Sequence, residues 1–146
     1  MLRKLTATSA TWAMLPLRLA LGVIFIAHGA QKVFGTWEGP GIRAFMNFPA
    51  PYPFMRPAWL WMGAAAISEL LGGVLVLLGL FTRVGAFLIF CVMLTAMLSV
   101  HWKNGFFMSS MGIEYSLALV GMALALLIGG GGQASADKMI TGRRRR

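Results

Sequence analysis

The stretch "LLGGVLVLLGLFTRVGAFLIFCV", residues 70–92, consists of two apolar runs joined by the three residues "FTR". A helix needs about 20 mostly apolar residues to cross a bilayer. Extended outward, the runs give two windows near that length, roughly Ala58–Leu80 and Arg83–Val100. Because a connection this short joins antiparallel neighbours, the stretch predicts a tight hairpin of two membrane helices.

The rest of the chain fits a membrane protein. Of its 146 residues, 58% are hydrophobic and only 12% are charged, whereas soluble domains carry about 25% charged residues. Two further apolar windows lie at roughly Trp12–Phe34 and Ile113–Gly129. The sequence therefore predicts an all-α membrane protein, a four-transmembrane-helix bundle in which residues 1–146 form a single domain.

The predicted spans leave outer loops at 35–57 and 101–112 and a basic tail at 133–146. The glycine run 129–132 is expected to end the fourth helix, and aromatic residues of the first loop, including Phe45, are expected to lie at the membrane interface. Four spans place both termini on one side of the membrane. That side would carry most of the cations: Arg3, Lys4, Arg83, Lys138 and Arg143–Arg146. The positive-inside rule predicts that both termini and the basic tail are cytoplasmic.

Several functional classes are not expected because the sequence lacks the residues or motifs that they require. A single cysteine, Cys91, rules out a disulfide within the chain and a CxxC pair. The net charge of +9 lies at the ends of apolar segments, so no nucleic-acid partner is expected. No HExxH or comparable spacing supports a metal site. No motif for haem, flavin, an iron–sulfur cluster or a dinucleotide is present, so no intrinsic cofactor is expected.

Ionisable residues within the spans are the candidates for function. Glu69 lies near the middle of the second span, and His28 and Lys32 lie one helical turn apart in the first. A charged side chain at the bilayer centre costs about 2.5–3.5 kcal/mol on insertion scales, so we expect Glu69 to be paired or neutral and assign it a catalytic role. Matching depths along the spans predicts an outward-facing pocket that binds a quinone or another substrate, lined by His28, Lys32, Glu69, His101 and Glu114.

A second group of charges is predicted at the cytoplasmic end. Arg18 and Arg83 lie there, and Arg18 is expected to pair with Asp137. We assign these three residues to a structural charge network. The alternative for the outer cluster is the same kind of role, an ion-pair network that fixes the order of the helices.

The segments "LRLALGVIFIAHGAQKVFG" and "SELLGGVLVLLGLFTRVGA", followed in order by "NGFF", "GIEYSLAL" and "GGGGQASAD", resemble the DoxX-like family of bacterial inner-membrane proteins, the relatives of DoxX and DoxD. Together these segments extend over nearly the whole chain. The tripeptide "SAD" departs from the family pattern, in which a larger apolar residue often precedes the Asp. The polar positions of the family would correspond to Arg18, His28, Lys32, Glu69, Arg83, Glu114 and Asp137.

The resemblance implies a four-helix, multi-pass protein of the bacterial inner (cytoplasmic) membrane that is associated with redox chemistry. Relatives include a subunit of thiosulfate:quinone oxidoreductase, proteins linked to quinone or catechol resistance, and a membrane partner of thiol- and superoxide-handling enzymes. It leaves the reaction open, because function inferred from a family is analogy.

Two functional hypotheses follow. In the first, the chain is a subunit of a quinone-linked oxidoreductase system, in which His28 and Lys32 donate hydrogen bonds to quinone carbonyls and Glu69 carries a proton. In the second, it is a non-catalytic scaffold or assembly subunit, or a protein that binds or transports a small solute. Whether the chain is an enzyme stays open. Its expected partners are the lipid bilayer and a redox enzyme or larger membrane complex, with a homo-oligomer as a further option.

Overall fold

The structure, a computed structural model, describes residues 6–143, with side chains described as far as Thr141. The predicted cytoplasmic charges Arg3, Lys4 and Arg144–Arg146 lie outside the described residues. Within 6–143 the chain is helical, without strands, and the α-helices are α1 (Met14–Phe34), α2 (Gly41–Met46), α3 (Ala58–Leu78), α4 (Thr82–Ala96), α5 (Glu114–Gly129) and α6 (Ala136–Arg143).

Three of the helical segments are long and apolar enough to cross a membrane. These are α1, α3 and the segment Thr82–Asn104, in which α4 continues through the π-helical turn Met97–His101 and a 3₁₀ turn. The fourth apolar helix, α5, has 16 residues and is shorter than these. The prediction of an all-helical membrane protein is thus confirmed. That all four helices span the bilayer stays a prediction.

The hairpin predicted from residues 70–92 is present, and its three-residue turn, residues 79–81, begins two positions earlier than the predicted "FTR". Helix α3 ends at Leu78 because Gly79 adopts a left-handed conformation with φ of 65°. Phe81 precedes α4 and is also left-handed, with φ of 46°. Two left-handed residues in three positions reverse the chain, and α4 packs against α3.

Glycines let the first three long helices approach closely. A Cβ added to Gly29 would lie 2.6 Å from the backbone of Leu70, and one added to Gly73 would lie 2.7 Å from the backbone nitrogen of Ile26. A Cβ on Gly85 of α4 would lie 2.9 Å from the carbonyl oxygen of Gly72. Contact between backbones at small residues is the usual packing mode of membrane helices.

The four apolar helices share one core. Helix α5 packs against α4 and also touches α1. Side chains from all four form the buried cluster: Leu21, Phe25, Val76, Ala86, Ile89, Leu119, Ala123 and Leu126. Around this core the large apolar side chains face outward, among them Leu19, Val23, Ile67, Leu71, Phe87, Leu117 and Ile128. Buried polar groups inside an apolar exterior are typical of helices that lie in lipid.

Two small residues of α5 lie on its outer face and not in the core. Ala118 and Gly121 are exposed, and a Cβ added to Gly121 would meet no atom within 4 Å. Leu119, Ala123 and Leu126 occupy the inward face instead.

Candidate functional site

Lys32 and Glu69 form an ion pair between α1 and α3. Lys32 lies in the last turn of α1, and Glu69 lies near the middle of the 21-residue α3. The ammonium Nζ contacts both carboxylate oxygens of Glu69. Gly29, about one turn before Lys32, packs on the backbone of Leu70, the residue after Glu69. This close approach of α1 and α3 brings the side chains of Lys32 and Glu69 together.

The two members of this pair differ in exposure. The side chain of Glu69 is 5% exposed, whereas that of Lys32 is 24% exposed. The carboxylate is therefore enclosed by protein, and the side chain of Lys32 is only partly enclosed. An ammonium has three N–H donors, and two of them suffice for the carboxylate oxygens of Glu69. The third donor of Lys32 remains for another acceptor.

Helix α2 covers the pair. Lys32 lies at the end of α1, whereas Glu69 lies near the middle of α3. Helix α3 therefore extends well past the end of α1, and the segment after Phe34 packs beside this extension. Gly39 packs on Gln31, and α2 contacts both α1 and α3. The ring of Phe45, only 8% exposed, lies with its centroid 5.3 Å from Lys32 Nζ. Phe45 is thus part of the site and not the interface anchor expected from the sequence.

His28 does not join the pair. It is exposed on α1 and has no hydrogen bond or ion pair to any other residue that the structure describes. A four-residue step places His28 near Lys32 along the helix, but only Lys32 turns toward α3. His28 is therefore an exposed residue outside the ion pair.

His101 and Glu114 are used within the loop between α4 and α5. His101 Nδ1 lies 2.8 Å from the carbonyl oxygen of Met111. The Glu114 carboxylate accepts a hydrogen bond of 2.9 Å from the backbone N–H of Met108. Of the five residues assigned to the outer pocket, only Lys32 and Glu69 are in direct contact. The other three bond elsewhere or are free of protein partners among the described residues.

At the opposite end of the helices, which we call the terminal end, Arg18 binds backbone carbonyls. Its guanidinium donates to the carbonyl oxygens of Val76 (3.0 Å) and Leu77 (2.8 Å), the last turn of α3. It also donates to Gly131 (3.0 Å) and Ala134 (2.6 Å), between α5 and α6. The side chain is 3% exposed. Arg18 thus caps the carboxyl end of α3.

Asp137 caps the other side of the same turn. It is 1% exposed, and it accepts hydrogen bonds from the backbone N–H groups of Phe81 (2.8 Å) and Thr82 (2.9 Å). The direct Arg18–Asp137 pair expected from the sequence does not form, because each residue binds one end of the α3–α4 turn. The two charges still attract each other electrostatically.

Arg83 and the first described residues complete the terminal end. Arg83 donates to the carbonyl oxygens of Ala7 (3.1 Å) and Ile128 (2.8 Å). Ser9 N–H donates to Gly129 O at 2.9 Å. Residues 133–141, the first part of the predicted basic tail, pack on the helices, with Ser135 buried and bonded to the N–H of Lys138 at the start of α6.

No three His, Cys, Asp or Glu side chains within the described part of the chain lie close enough together to hold a metal ion. Apart from the Lys32–Glu69 pair, the buried charges named above bind helix ends. We therefore take Lys32 and Glu69, with Phe45 over them, as the candidate functional site.

Comparison with known proteins identifies the family. The family model DoxX matches residues 13–102. The chain is 37% identical over 110 residues to the protein named "Putative oxidoreductase CatD" of Bacillus subtilis strain 168, with 75% of each chain covered. It is 30% identical over 129 residues to a Haemophilus influenzae protein named only "Uncharacterized protein", with 88% of this chain and 83% of that protein covered. No solved structure matches significantly.

The matched segment contains α1, α2, α3 and α4, and so includes both Lys32 and Glu69. The apolar helices and this match show that the chain is a membrane protein that belongs to the DoxX family.

Proposed function

We propose that the protein is a subunit of a quinone-linked oxidoreductase system in the bacterial inner membrane, and that the Lys32–Glu69 pair is its quinone site. Membership of the DoxX family and similarity to a relative whose name includes "oxidoreductase" support the redox assignment. The observation that carries the proposal is the pair itself, an enclosed carboxylate bonded to a partly exposed ammonium within apolar helices. Ionisable groups at such depth are costly and commonly mark a pathway for substrates or protons.

The residues present fit a quinone headgroup. A quinone supplies carbonyl groups that accept electrons and protons. Two N–H groups of Lys32 serve the two oxygens of Glu69, and 24% of the Lys32 side chain is exposed. The third N–H would therefore donate a hydrogen bond to a quinone carbonyl. Glu69 would hold or release the proton at its carboxyl oxygens, and Phe45 would keep water from the pair.

Electron transfer itself is assigned to a partner enzyme, since the sequence contains no motif for a redox group. On this proposal the chain binds the quinone and serves as the membrane anchor of its partner. A sidedness in which both termini are cytoplasmic, as the positive charges favour, places the Lys32–Glu69 pair toward the outer half of the membrane.

Mass spectrometry of the protein gently extracted from its native membrane tests the proposal. We expect stoichiometric quinone with the wild type and its loss in Glu69→Gln and in Lys32→Met. The matched control is Glu114→Gln, because Glu114 is exposed and bonds only its own loop; this variant should retain the quinone. No quinone in the wild type, or equal amounts in Glu69→Gln, would refute the site.

A second candidate is a scaffold in which the pair only holds α1 against α3. It is favoured by the direct contact between the two helices that the pair provides. Lys32→Met leaves the buried carboxyl group of Glu69 without its partner, and a loss of this kind costs about 3–5 kcal/mol. Removing both partners costs less. If the scaffold hypothesis is correct, the double variant Lys32→Met/Glu69→Gln recovers partner binding and activity together. If the pair is a quinone site, the double variant recovers stability but not quinone binding.

A further inference from the structure

We propose that α2 is a gate over the Lys32–Glu69 pair, and that strained backbone at Trp37 and Glu38 favours its opening. The inference rests on the proposed function, because a gate serves only a site that admits a ligand. Access to the pair can nevertheless be measured without any quinone. Failure of the gate and failure of the quinone site can therefore be told apart.

The gate closes over the pair through Phe45, the buried residue of α2. The centroid of its ring lies 5.3 Å from Nζ of Lys32, and the ring of Phe48 packs against it with centroids 5.5 Å apart. In this arrangement the side chain of Glu69 is 5% exposed. A ligand that contacts Glu69 as well as Lys32 therefore requires one of the covering elements to move.

Helix α2 is the covering element that moves most easily. It has six residues, and a helix this short is not stable in isolation. It keeps its place through its contacts with α1 and α3. These two helices, by contrast, have 21 residues each and pack backbone to backbone. Movement of α2 would uncover the pair while α1 and α3 stay together.

The segment that joins α1 to α2 has an unfavourable backbone conformation. Gly35 and Gly41 are left-handed, with φ of 74° and 68°, and glycine adopts such angles readily. Trp37 and Glu38 between them are left-handed as well, with φ of 50° and 62°. A bulky residue such as tryptophan rarely has positive φ. For an L-residue the left-handed conformation is disfavoured by a factor of about 5 to 30.

No interaction of the two strained side chains offsets this strain. Trp37 is 70% exposed, and Glu38 is exposed as well. Neither side chain has a hydrogen bond, ion pair or ring contact to another residue that the structure describes. The connection from α1 to α3 runs through residues 35–57, so it is long enough to reach α3 without strained residues. We therefore attribute the strain to the closed position of α2.

Contacts on both sides of Phe45 hold α2 closed against this strain. Gly39 packs on α1 so closely that an added Cβ would lie 2.5 Å from the carbonyl oxygen of Gln31. Met46, the last residue of α2, lies beside α3, and a Cβ added to Gly63 would lie 3.5 Å from its Cγ. Strained residues persist only where the surrounding structure holds them, and they are frequent at ligand clamps. When these contacts separate, Trp37 and Glu38 can return to negative φ, so opening releases the strain.

A cross-link between α2 and α3 tests the gate. The γ atom of Met46 is where the sulfur of a cysteine would lie, so we expect Met46→Cys and Gly63→Cys to form a disulfide in a Cys91→Ser background. The full-length protein in detergent micelles is treated with dicyclohexylcarbodiimide, an apolar reagent that modifies carboxyl groups. Mass spectrometry of peptides then measures the label on Glu69. We expect slow labelling of the oxidised protein and a several-fold increase on reduction. The label on Glu114, which is exposed, is the internal reference.

Two substitutions of Trp37 separate the strain from the indole ring. Trp37→Ala removes the ring but keeps a Cβ in the left-handed conformation, whereas Trp37→Gly removes both. We expect Glu69 of Trp37→Ala to be labelled as in the wild type. Labelling in Trp37→Gly should be slower by about fivefold, because its closed state is no longer strained.

Phe45→Ala should accelerate the labelling of Glu69, because it removes the side chain that covers the pair. Phe54→Ala is the matched control, since Phe54 belongs to the same connection but is 74% exposed, and it should label as the wild type does. Absence of the disulfide, equal labelling before and after its reduction, or equal rates in Trp37→Ala and Trp37→Gly would each overturn the gate. If only the quinone proposal fails, these labelling results stay as expected.

Discussion

The carboxylate of Asp137 accepts hydrogen bonds from both the backbone N–H and the hydroxyl of Thr82, at 2.9 and 2.8 Å, although the two residues are 55 positions apart. Its other oxygen accepts the N–H of Phe81 at 2.8 Å. A negative charge at a helix amino terminus is favourable because the first N–H groups of a helix have no partner within it. The segment after α5 therefore supplies the cap that α4 lacks locally.

Replacing Asp137 with alanine should destabilise the protein more than an ordinary surface change. The substitution removes a cap and leaves buried N–H groups without acceptors, which together cost about 2 kcal/mol or more. The midpoint of thermal unfolding in detergent measures this loss. Asp137→Asn retains an acceptor and should lie between alanine and the wild type. Glu38→Ala, at an exposed carboxylate, is the control that should leave the midpoint unchanged.

Gly79→Ala should be more damaging than Gly35→Ala. Both glycines are left-handed, with φ of 65° and 74°, so alanine strains the backbone by about 1–2 kcal/mol at either position. Only at Gly79 would the new Cβ collide with the guanidinium of Arg18, 2.5 Å from its Cζ; at Gly35 the nearest atom, the carbonyl oxygen of Gly39, would lie 3.4 Å away. Comparison of the two unfolding midpoints isolates the contribution of the Arg18 contacts. Equal losses would show that Arg18 is not held in place.

Gly29→Ala should separate α1 from α3, whereas Gly121→Ala should be tolerated. Both glycines lie within helices, where alanine is intrinsically favoured by about 1 kcal/mol. At Gly29 the Cβ would lie 2.6 Å from the backbone of Leu70, which cannot rotate away; at Gly121 it has open space. We expect a lower midpoint for Gly29→Ala and an equal or higher one for Gly121→Ala. A neutral result at Gly29 would show that the two helices pack less closely than described.

The helices were predictable because apolar length is a property of the sequence alone. The predicted starts and ends of α1 and α3 differ from the structure by no more than a few residues, and the left-handed Gly79 accounts for the earlier end of α3. Depth matching also anticipated that Lys32 and Glu69 lie at a similar level. It could not show which of the five predicted pocket residues would contact each other. A step of three or four residues places side chains on one face of a helix but does not fix the rotation of that helix about its own axis.

The charges at the terminal end show a second limit. Opposite charges near one another in a predicted membrane protein suggest an ion pair, and so Arg18 was assigned to Asp137. The competing partners were backbone groups: the carbonyl acceptors at the end of α3, which bind Arg18, and the N–H donors at the start of α4, which bind Asp137. No pattern of side chains displays these groups. The signal available was the position of Asp137 in a polar stretch directly after the glycine run, which could have suggested a return of the chain to the helices.

The hydrogen bonds of Arg18 set an order for biogenesis. The helix that carries this cation is made first, but its acceptors Val76, Leu77, Gly131 and Ala134 emerge from the ribosome 58 to 116 residues later. Until then the guanidinium has to remain at the headgroups or among water. Arg18 can therefore reach its full set of hydrogen-bond partners only after the segment that follows α5 has been synthesised.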